Sequence, residues 1–183
     1  GTTSRGLGDV YKRQIGYNSS LALYRMNYNE VLDASYAGAK VVNLSWTSGC
    51  DFNQYLQDAI NEVYNNGTFI VASAGNGTTC NGPENLVYPA AFDNVFAVTS
   101  IGASDNHERT IGDPNTTHQH NASVDLSAPG YHVPITAAPG WYLTGSGTSY
   151  ASPIVAGTVG LMIAANPCLC LLYTSPSPRD VVP

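Results

Sequence analysis

The stretch KVVNLSWTSGCDFNQYLQDAINEVYNNGTFIVAS, residues 40–73, alternates between the periodicities of a strand and of a helix. It begins with a β-branched run, Lys40 to Trp46, and ends with a second run, Thr68 to Ser73; both are typical of buried strands. Between them a helix is predicted that Asp51 caps and Gly67 ends. Its apolar stripe consists of Phe52, Tyr55, Leu56, Ala59, Ile60, Val63 and Tyr64. A strand, a helix and a strand in this order are the repeating unit of a parallel sheet.

The same alternation continues on both sides of this stretch. Tyr28 to Ala39 has helical spacing and ends near Gly38, and Asn94 to Ile101 is a third strand-like run. Thr148 to Asn166 is apolar, rich in small residues and followed by proline, which predicts a buried helix. The polar segment Asp105 to Asn121 is predicted to be a surface excursion. We therefore predict an α/β fold of three layers, a mostly parallel sheet with helices on both faces.

Composition limits the classes of partner. With 183 residues and 43% hydrophobic residues, the chain suffices for one globular domain. Only 11% of the residues are charged, the net charge is -6, and no run of Lys or Arg is present, which argues against nucleic acid as a partner. The longest apolar stretch, Ile154 to Ala165, is interrupted by glycines and is shorter than the roughly 20 residues of a membrane span, so no membrane partner is expected.

The two ends differ in character from the rest of the chain. Residues 1–14 and 168–183 resemble translated sequencing-adaptor sequence, and their alternative interpretation is a loose N-terminal segment and a Pro/Ser-rich linker. We assign the functional domain to residues 15–167 and treat both ends as non-native or disordered.

This domain keeps two cysteines, Cys50 and Cys80, each just beyond the carboxyl end of a predicted strand. Because a right-handed crossover makes these strands neighbours, a disulfide is predicted; the alternative is two free surface thiols.

Two short motifs contain candidate catalytic groups. In the motif from Gly145 to Gly157, small residues allow a sharp turn into a helix, with Ser149 in its first turn, where free N–H groups favour developing negative charge. The alternative is that Ser149 only caps the helix. In the motif from Val71 to Gly77, Asn76 follows a buried strand, where its amide can donate to an oxyanion. The alternative for Asn76 is a left-handed turn residue.

These motifs together resemble those of the subtilisin-like serine proteases. The sequence GTSYASPIVAG, residues 147–157, resembles the nucleophile motif, with Tyr150 where methionine is usual and Ile154 where histidine is common. VASAGNG, residues 71–77, resembles the oxyanion-hole motif, which implies that Ser149 is the nucleophile and Asn76 the oxyanion donor. VYPA, residues 87–90, resembles a segment of this family in which a cis proline is implied, here Pro89. Asp125 to Gly130 matches the strand and turn that come before the nucleophile.

The resemblance also implies a substrate cleft. VVNLSW, residues 41–46, resembles the strand along whose outer end an extended peptide pairs, so Leu44, Ser45 and Trp46 are predicted to bind substrate. The walls of the specificity pocket are predicted to come from Ser73, Ala74 and Gly75. Trp46 either narrows the cleft or packs against the sheet.

The resemblance covers about Ile15 to Pro167 and implies a secreted, monomeric serine endopeptidase acting on polypeptides. No cofactor and no metal ligand are identified from the residues, and calcium is implied by the resemblance alone.

The histidine and aspartate of a catalytic triad have no matching motif in the chain. No Asp-Thr/Ser-Gly segment is present, and Gly-Thr follows none of the four histidines, which are therefore predicted to lie on the surface: His107, His118, His120 and His132. Ile15 to Ala22 resembles the family's strand just after the histidine helix. We therefore expect a fragment truncated at its N-terminus, inactive alone, from an active parent.

Two alternatives compete with an active protease. One is a catalytically dead subtilase-like domain that binds peptides or serves as a scaffold. The other is an α/β-hydrolase, because the residues around Ser149 nearly fit its nucleophile elbow. That fold requires a histidine after the serine, and no histidine follows Ser149, which argues against it.

Overall fold

The computed structural model describes residues 15, 19–77, 79–102, 118–138 and 141–167. Three α-helices are found in these ranges: α1 (Tyr28–Tyr36), α2 (Gln54–Asn65) and α3 (Thr148–Ala165). The strands are β1 (Val41–Leu44), β2 (Phe69–Ser73), β3 (Phe96–Ile101), β4 (Leu126–Pro129), β5 (Val133–Ala138) and β6 (Trp141–Gly145). A short 3-10 turn, Thr79–Asn81, follows β2. The segments 1–14 and 168–183, and the surface excursion up to residue 117, lie outside the described residues.

The four strands β1 to β4 form a parallel sheet in the order β1-β2-β3-β4. Alternate residues of β2 face opposite sides of it, as the period of a strand requires. Ile70 packs in a cluster with Val31 of α1 and with Ile60 of α2. Val71 packs in a second cluster with Ala151 of α3. Two helices on one face and one on the other confirm the predicted three-layer α/β fold.

Helix α2 begins two residues later than the predicted cap implied, so Asp51 as its cap was wrong. Asn53 is the cap, and its Oδ1 accepts a hydrogen bond from the N–H of Leu56 at 3.3 Å. The later start leaves Phe52 before the helix, 55% exposed, and turns Tyr55 outward, 76% exposed. The buried face is Gln57, Ile60 and Val63. The predicted end is confirmed, because the chain leaves the helix at Gly67 with φ +82°.

Helix α3 has the predicted bounds to within one residue but is only partly buried. Its buried residues are all in the first half: Thr148, Ala151, Ser152 and Val155. In the second half, Leu161 and Met162 are about half exposed. By length and composition alone α3 is also apolar enough to cross a membrane. It contacts all four strands of the parallel sheet, which is the arrangement of a core helix.

A hairpin of β5 and β6, which the sequence periodicity did not predict, lies between β4 and α3. Its strands pair antiparallel, with Val133 opposite Gly145. Trp141, Tyr142 and Leu143 are all exposed, so β6 lacks the alternation that marks a strand buried on one face. That missing alternation is the physical reason why the hairpin left no signal in the sequence.

The end of the predicted surface excursion is buried, so the prediction was wrong for His118 and Gln119. His118 is 1% exposed and Gln119 0% exposed. His118 pairs with Asn76 in an isolated antiparallel bridge, and its Nδ1 contacts the hydroxyl of Ser100. This segment therefore runs inward alongside the ends of β2 and β3. His120 and His132 are exposed, as predicted, and His107 lies outside the described residues.

Two covalent details of the loops match the predictions. Cys50 and Cys80 form a disulfide whose Cα atoms are 5.3 Å apart, and the Tyr88–Pro89 peptide bond is cis. The disulfide joins the loop that follows β1 to the loop that follows β2. The carboxyl ends of these two strands are thereby held together.

We expect the double variant Cys50→Ser/Cys80→Ser to lose about 3–4 kcal/mol of unfolding free energy, because the bridge closes a loop with a sequence separation of 30 residues. Denaturant unfolding of the oxidised protein and of the variant measures this loss. The reduced wild-type protein is the control and should match the variant. Equal midpoints for the variant and the oxidised protein would contradict the expectation.

Candidate active site

Ser149 is the second residue of α3 and is half-buried. The chain enters the helix through Gly147, whose φ of +152° a side chain would strain. The N–H groups of this first turn point toward the carboxyl end of the sheet, and the helix dipole adds partial positive charge there. The local backbone therefore suits a group that acquires negative charge.

The start of α3 is held against β4 by glycine. The N–H of Gly147 donates a hydrogen bond of 2.7 Å to the carbonyl oxygen of Gly130. A Cβ on Gly130 would lie 2.4 Å from Cβ of Ser100 and 2.9 Å from the carbonyl oxygen of Gly147, so no side chain fits there. This close approach sets the distance between the sheet and the first turn of α3, which contains Ser149.

Asn76 lies just after β2 and contacts the residue that precedes Ser149. Its Oδ1 accepts hydrogen bonds from the backbone N–H of Thr148 at 2.9 Å and from the hydroxyl of Thr148 at 3.1 Å. The same hydroxyl accepts from the N–H of Gly75 at 3.1 Å. One side chain, Thr148, thus joins α3 to the loop after β2.

These bonds determine which way the amide of Asn76 faces. A backbone N–H requires an acceptor, so the atom facing Thr148 must be the oxygen, and Nδ2 must face away from it. Nδ2 lies about 3.3 Å from where a Cβ of Gly147 would be and forms no hydrogen bond with another described residue. The positive φ angles beside Asn76 belong to Gly75 and Gly77. Asn76 is therefore not the left-handed turn residue of the alternative interpretation.

Ser45, at the end of β1, contacts the first turn of α3. Its Oγ donates to the carbonyl oxygen of Ser149 at 3.1 Å and lies 3.0 Å from Oγ of Ser152. Trp46 packs edge-on against Tyr28, with ring centroids 5.1 Å apart, as part of the core on the α1 and α2 face. Trp46 thus packs against the sheet, whereas its role in narrowing the cleft stays a prediction.

The other predicted substrate-binding residues are buried. Leu44 is 2% exposed and belongs to the core. Ser73 donates a hydrogen bond of 3.4 Å to the carbonyl oxygen of Leu44, and Ala74 donates its N–H to Val98. Gly75 is buried below Asn76. The structure therefore brings Ser149, Asn76 and Ser45 together, whereas Leu44, Ser73, Ala74 and Gly75 lie beneath them.

Two tyrosines hold the loop that follows Trp46. The hydroxyl of Tyr28 lies 2.6 Å from Oγ of Ser48, and the backbone of Tyr88 exchanges hydrogen bonds with Ser48 and Gly49. Burial raises the pKa of Tyr28 and of Tyr88 above 10.0. Both hydroxyls are therefore neutral across the physiological pH range, so their ionisation does not disturb this loop.

Thr148 and Gln119 are residues near the site whose roles the sequence did not predict. Thr148 lies within the motif that resembles the family's nucleophile motif, so its position in the sequence could have indicated a role in the site. Gln119 is surrounded by polar residues in the sequence, so nothing in the sequence indicated that it is buried near the site. Within the described ranges no group of three or more His, Cys, Asp or Glu residues is placed to hold a metal ion.

Comparison with known proteins assigns the family. The sequence model of the Peptidase_S8 subtilase family matches residues 9–180. The chain is 38% identical to a thermophilic serine proteinase of Bacillus sp. (strain AK1) over 72% of its own length and 30% of that protein. It is 36% identical to thermitase of Thermoactinomyces vulgaris over 79% of its length and 48% of thermitase. The structure of sphericase superposes with a TM-score of 0.61 at 26% identity, covering 79% of this chain and 52% of sphericase.

The chain thus spans about half, or less, of the length of these relatives. The family model, in contrast, matches most of the chain. On these grounds the chain belongs to the subtilase family of serine peptidases.

Proposed function

We propose that this chain is the part of a serine endopeptidase that supplies the nucleophile, Ser149, and the oxyanion donor, Asn76, and that its substrates are polypeptides. The observation that carries the proposal is the 2.9 Å hydrogen bond between the N–H of Thr148 and Oδ1 of Asn76. Because of this bond, the amide group of Asn76 lies beside Thr148, the neighbour of Ser149, and its oxygen faces Thr148, which leaves the nitrogen as the group that can donate elsewhere.

This arrangement matches the charge that develops during acyl transfer. When Oγ of Ser149 forms a bond to the carbonyl carbon of a peptide, the electron pair of the C=O bond moves to the oxygen. Nδ2 of Asn76 then donates a hydrogen bond to that oxygen without carrying a charge itself. The proton of the Ser149 hydroxyl passes to a general base and afterwards to the departing amine, which conserves atoms and charge.

The substrate is proposed to enter as an extended strand beside β1. Among the described residues β1 pairs only with β2, so the backbone on its other edge has no strand partner there, and we propose that backbone groups of Leu44, Ser45 and Trp46 at its carboxyl end pair with the substrate. A peptide backbone can pair with such an edge. The bond from Ser45 to the carbonyl oxygen of Ser149 keeps this edge in register with the nucleophile.

The general base and its orienting carboxylate are proposed to come from the parent protein. None of the motifs that carry them in the family occurs in the 183 residues, so we propose that the chain alone is inactive. The parent is proposed to be secreted. The Cys50–Cys80 disulfide supports this, because such bonds persist in oxidising compartments.

Active-site labelling tests the proposed function. A fluorophosphonate probe should label the full-length parent, and Ser149→Ala should abolish labelling, because the probe reacts with an activated serine hydroxyl. Ser127→Ala, at an exposed serine of β4, is the matched control and should label like the wild type. Absence of labelling in a folded parent that still binds peptides would favour the catalytically dead alternative.

The 183-residue chain alone should hydrolyse casein or a chromogenic peptide at a background rate, since a serine hydroxyl without its base is a weak nucleophile. The full-length parent, assayed beside it, is the positive control. Turnover of the short chain at even a few per cent of the rate of the parent would show that it supplies its own base.

We expect Asn76→Ala in the parent to lower kcat on the order of 100–1000-fold with little change in KM, which is the loss known for removal of the corresponding donor in subtilisin itself. The donor acts on charge that exists only in the transition state, so binding of the substrate is spared. Steady-state kinetics measure both constants. Asn65→Ala, at an exposed asparagine of α2, is the control, and an equal loss in it would contradict a specific role for Asn76.

Thr148→Val should destabilise the protein by about 1–3 kcal/mol and lower kcat, because it leaves the buried N–H of Gly75 without its acceptor. It also removes one of the two bonds that orient Asn76. Thr148→Ser keeps the hydroxyl and should retain most of the activity. Thermal unfolding and steady-state kinetics measure both effects, and equal losses in the Val and Ser variants would show that the hydroxyl has no special role.

A further inference from the structure

Gln119 is a fully buried polar residue that contacts the chain on both sides of Asn76. Its backbone N–H donates to the carbonyl oxygen of Gly75 at 3.0 Å. Its Nε2 donates to the carbonyl oxygens of Thr79 at 3.0 Å, Gly82 at 2.8 Å and Asn85 at 3.3 Å. Residue 75 precedes Asn76 and residues 79–85 follow it, so Gln119 links the two segments that flank the oxyanion donor.

The loop 79–85 receives hydrogen bonds from several parts of the chain, and three of its carbonyl groups accept from the amide of Gln119. Its regular structure is limited to the 3-10 turn Thr79–Asn81, within which Cys80 adopts a left-handed conformation. Carbonyl groups in such a loop require donors from elsewhere when they are taken out of water. The amide of Gln119 is the one donor that these three carbonyl oxygens share; the carbonyl oxygen of Gly82 also accepts from the N–H of Asn85, and that of Asn85 from Nδ2 of Asn121.

Gln119 is itself held in place by its neighbours. Its carbonyl oxygen accepts a hydrogen bond from the hydroxyl of Thr99 on β3. Its side chain packs against Gly75, where an added Cβ would lie 3.3 Å from Cδ of Gln119. Its Oε1 has no hydrogen-bond partner among the described residues. The amide therefore acts on the loop as a donor only.

We propose that Gln119 is a positioning residue for Asn76. By fixing residue 75 and the loop 79–85 at once, it sets the backbone from which the amide of Asn76 reaches the oxyanion. Asn76 itself is exposed, and its side chain is held by the two hydrogen bonds from Thr148. Loss of the Gln119 amide would let the loop relax and would weaken the bond between Asn76 and Thr148. The inference rests on the proposed function of Asn76.

Gln57 provides a matched control, because it is the other buried glutamine that bridges backbone segments among the described residues. It is 4% exposed, and its Nε2 donates to the carbonyl oxygen of Asp93 at 3.1 Å and to Asn61 at 2.9 Å. It lies on α2, on the opposite face of the sheet from α3. A substitution at Gln57 costs stability for the same chemical reason without contacting Asn76.

The kinetic test compares Gln119→Met and Gln57→Met in the full-length parent. Methionine keeps the volume and removes the amide. We expect Gln119→Met to lower kcat about 10-fold or more with KM within about twofold, a fraction of what loss of the whole oxyanion donor costs. Gln57→Met should leave kcat within about twofold. Equal losses of kcat in the two variants would overturn the proposal, since they would reflect stability alone.

A double-mutant cycle shows whether Gln119 acts through Asn76. In an Asn76→Ala background, Gln119→Met should change kcat by less than about twofold, because the group it positions is already absent. A loss in that background as large as in the wild type would overturn the proposal. If Gln119→Met does not fold, Gln119→Asn, which withdraws the amide by one methylene group, is measured with the same expectations.

A measurement independent of catalysis separates this inference from the proposed function. Hydrogen exchange of the backbone N–H of Thr148, which is bonded to Asn76, should be faster in Gln119→Met than in wild type and Gln57→Met. Unchanged exchange in Gln119→Met would overturn the inference. If the wild-type parent has no peptidase activity, the proposed function fails, whereas the exchange rates still decide whether Gln119 positions Asn76.

Discussion

The hydrogen bond from the N–H of Thr148 to Oδ1 of Asn76 is the interaction on which the site depends. It joins the first turn of α3 to the loop after β2, two parts of the chain that lie 72 residues apart in sequence. Each partner is placed by a different layer of the fold. The core beneath β2 supports Asn76, and the close contact between Gly130 and Gly147 supports the helix. The geometry of the candidate site is thus a property of layer packing, and not of either motif alone.

Much of the fold was predictable because its signals are local. The runs that form β1 and β2 are β-branched, and the stripe at Ile60 and Val63 has the period of a helix, so propensity and burial agree in these elements. The Cys50–Cys80 bridge followed from strand adjacency, which the handedness of the crossover determines. The cis bond at Pro89 and the family assignment followed from motif resemblance. The roles of Ser149 and Asn76 stay predictions.

One failure arose because burial of a polar side chain leaves no periodic signal. His118 and Gln119 are polar in a polar stretch, yet both are buried, where Nδ1 of His118 contacts the hydroxyl of Ser100 and the amide of Gln119 donates to carbonyl groups distant in sequence. The cap of α2 was predicted wrongly because Asp51 and Asn53 are both residues that cap helices well, so the sequence offers two possible starts, and Asn53 is the one observed. Strand β6 was not predicted because it has no buried face, and its sequence therefore lacks the alternation of apolar and polar residues that indicates a strand.

The contact between Gly130 and Gly147 has a consequence for directed evolution of this enzyme class. A saturation library that includes these two sites consists largely of variants in which the backbone below Ser149 must shift to fit a side chain. The hairpin of β5 and β6 leads into the same helix, but its side chains at 141–143 face water. Randomising residues 141–143 therefore changes exposed side chains and leaves the contact between Gly130 and Gly147 intact.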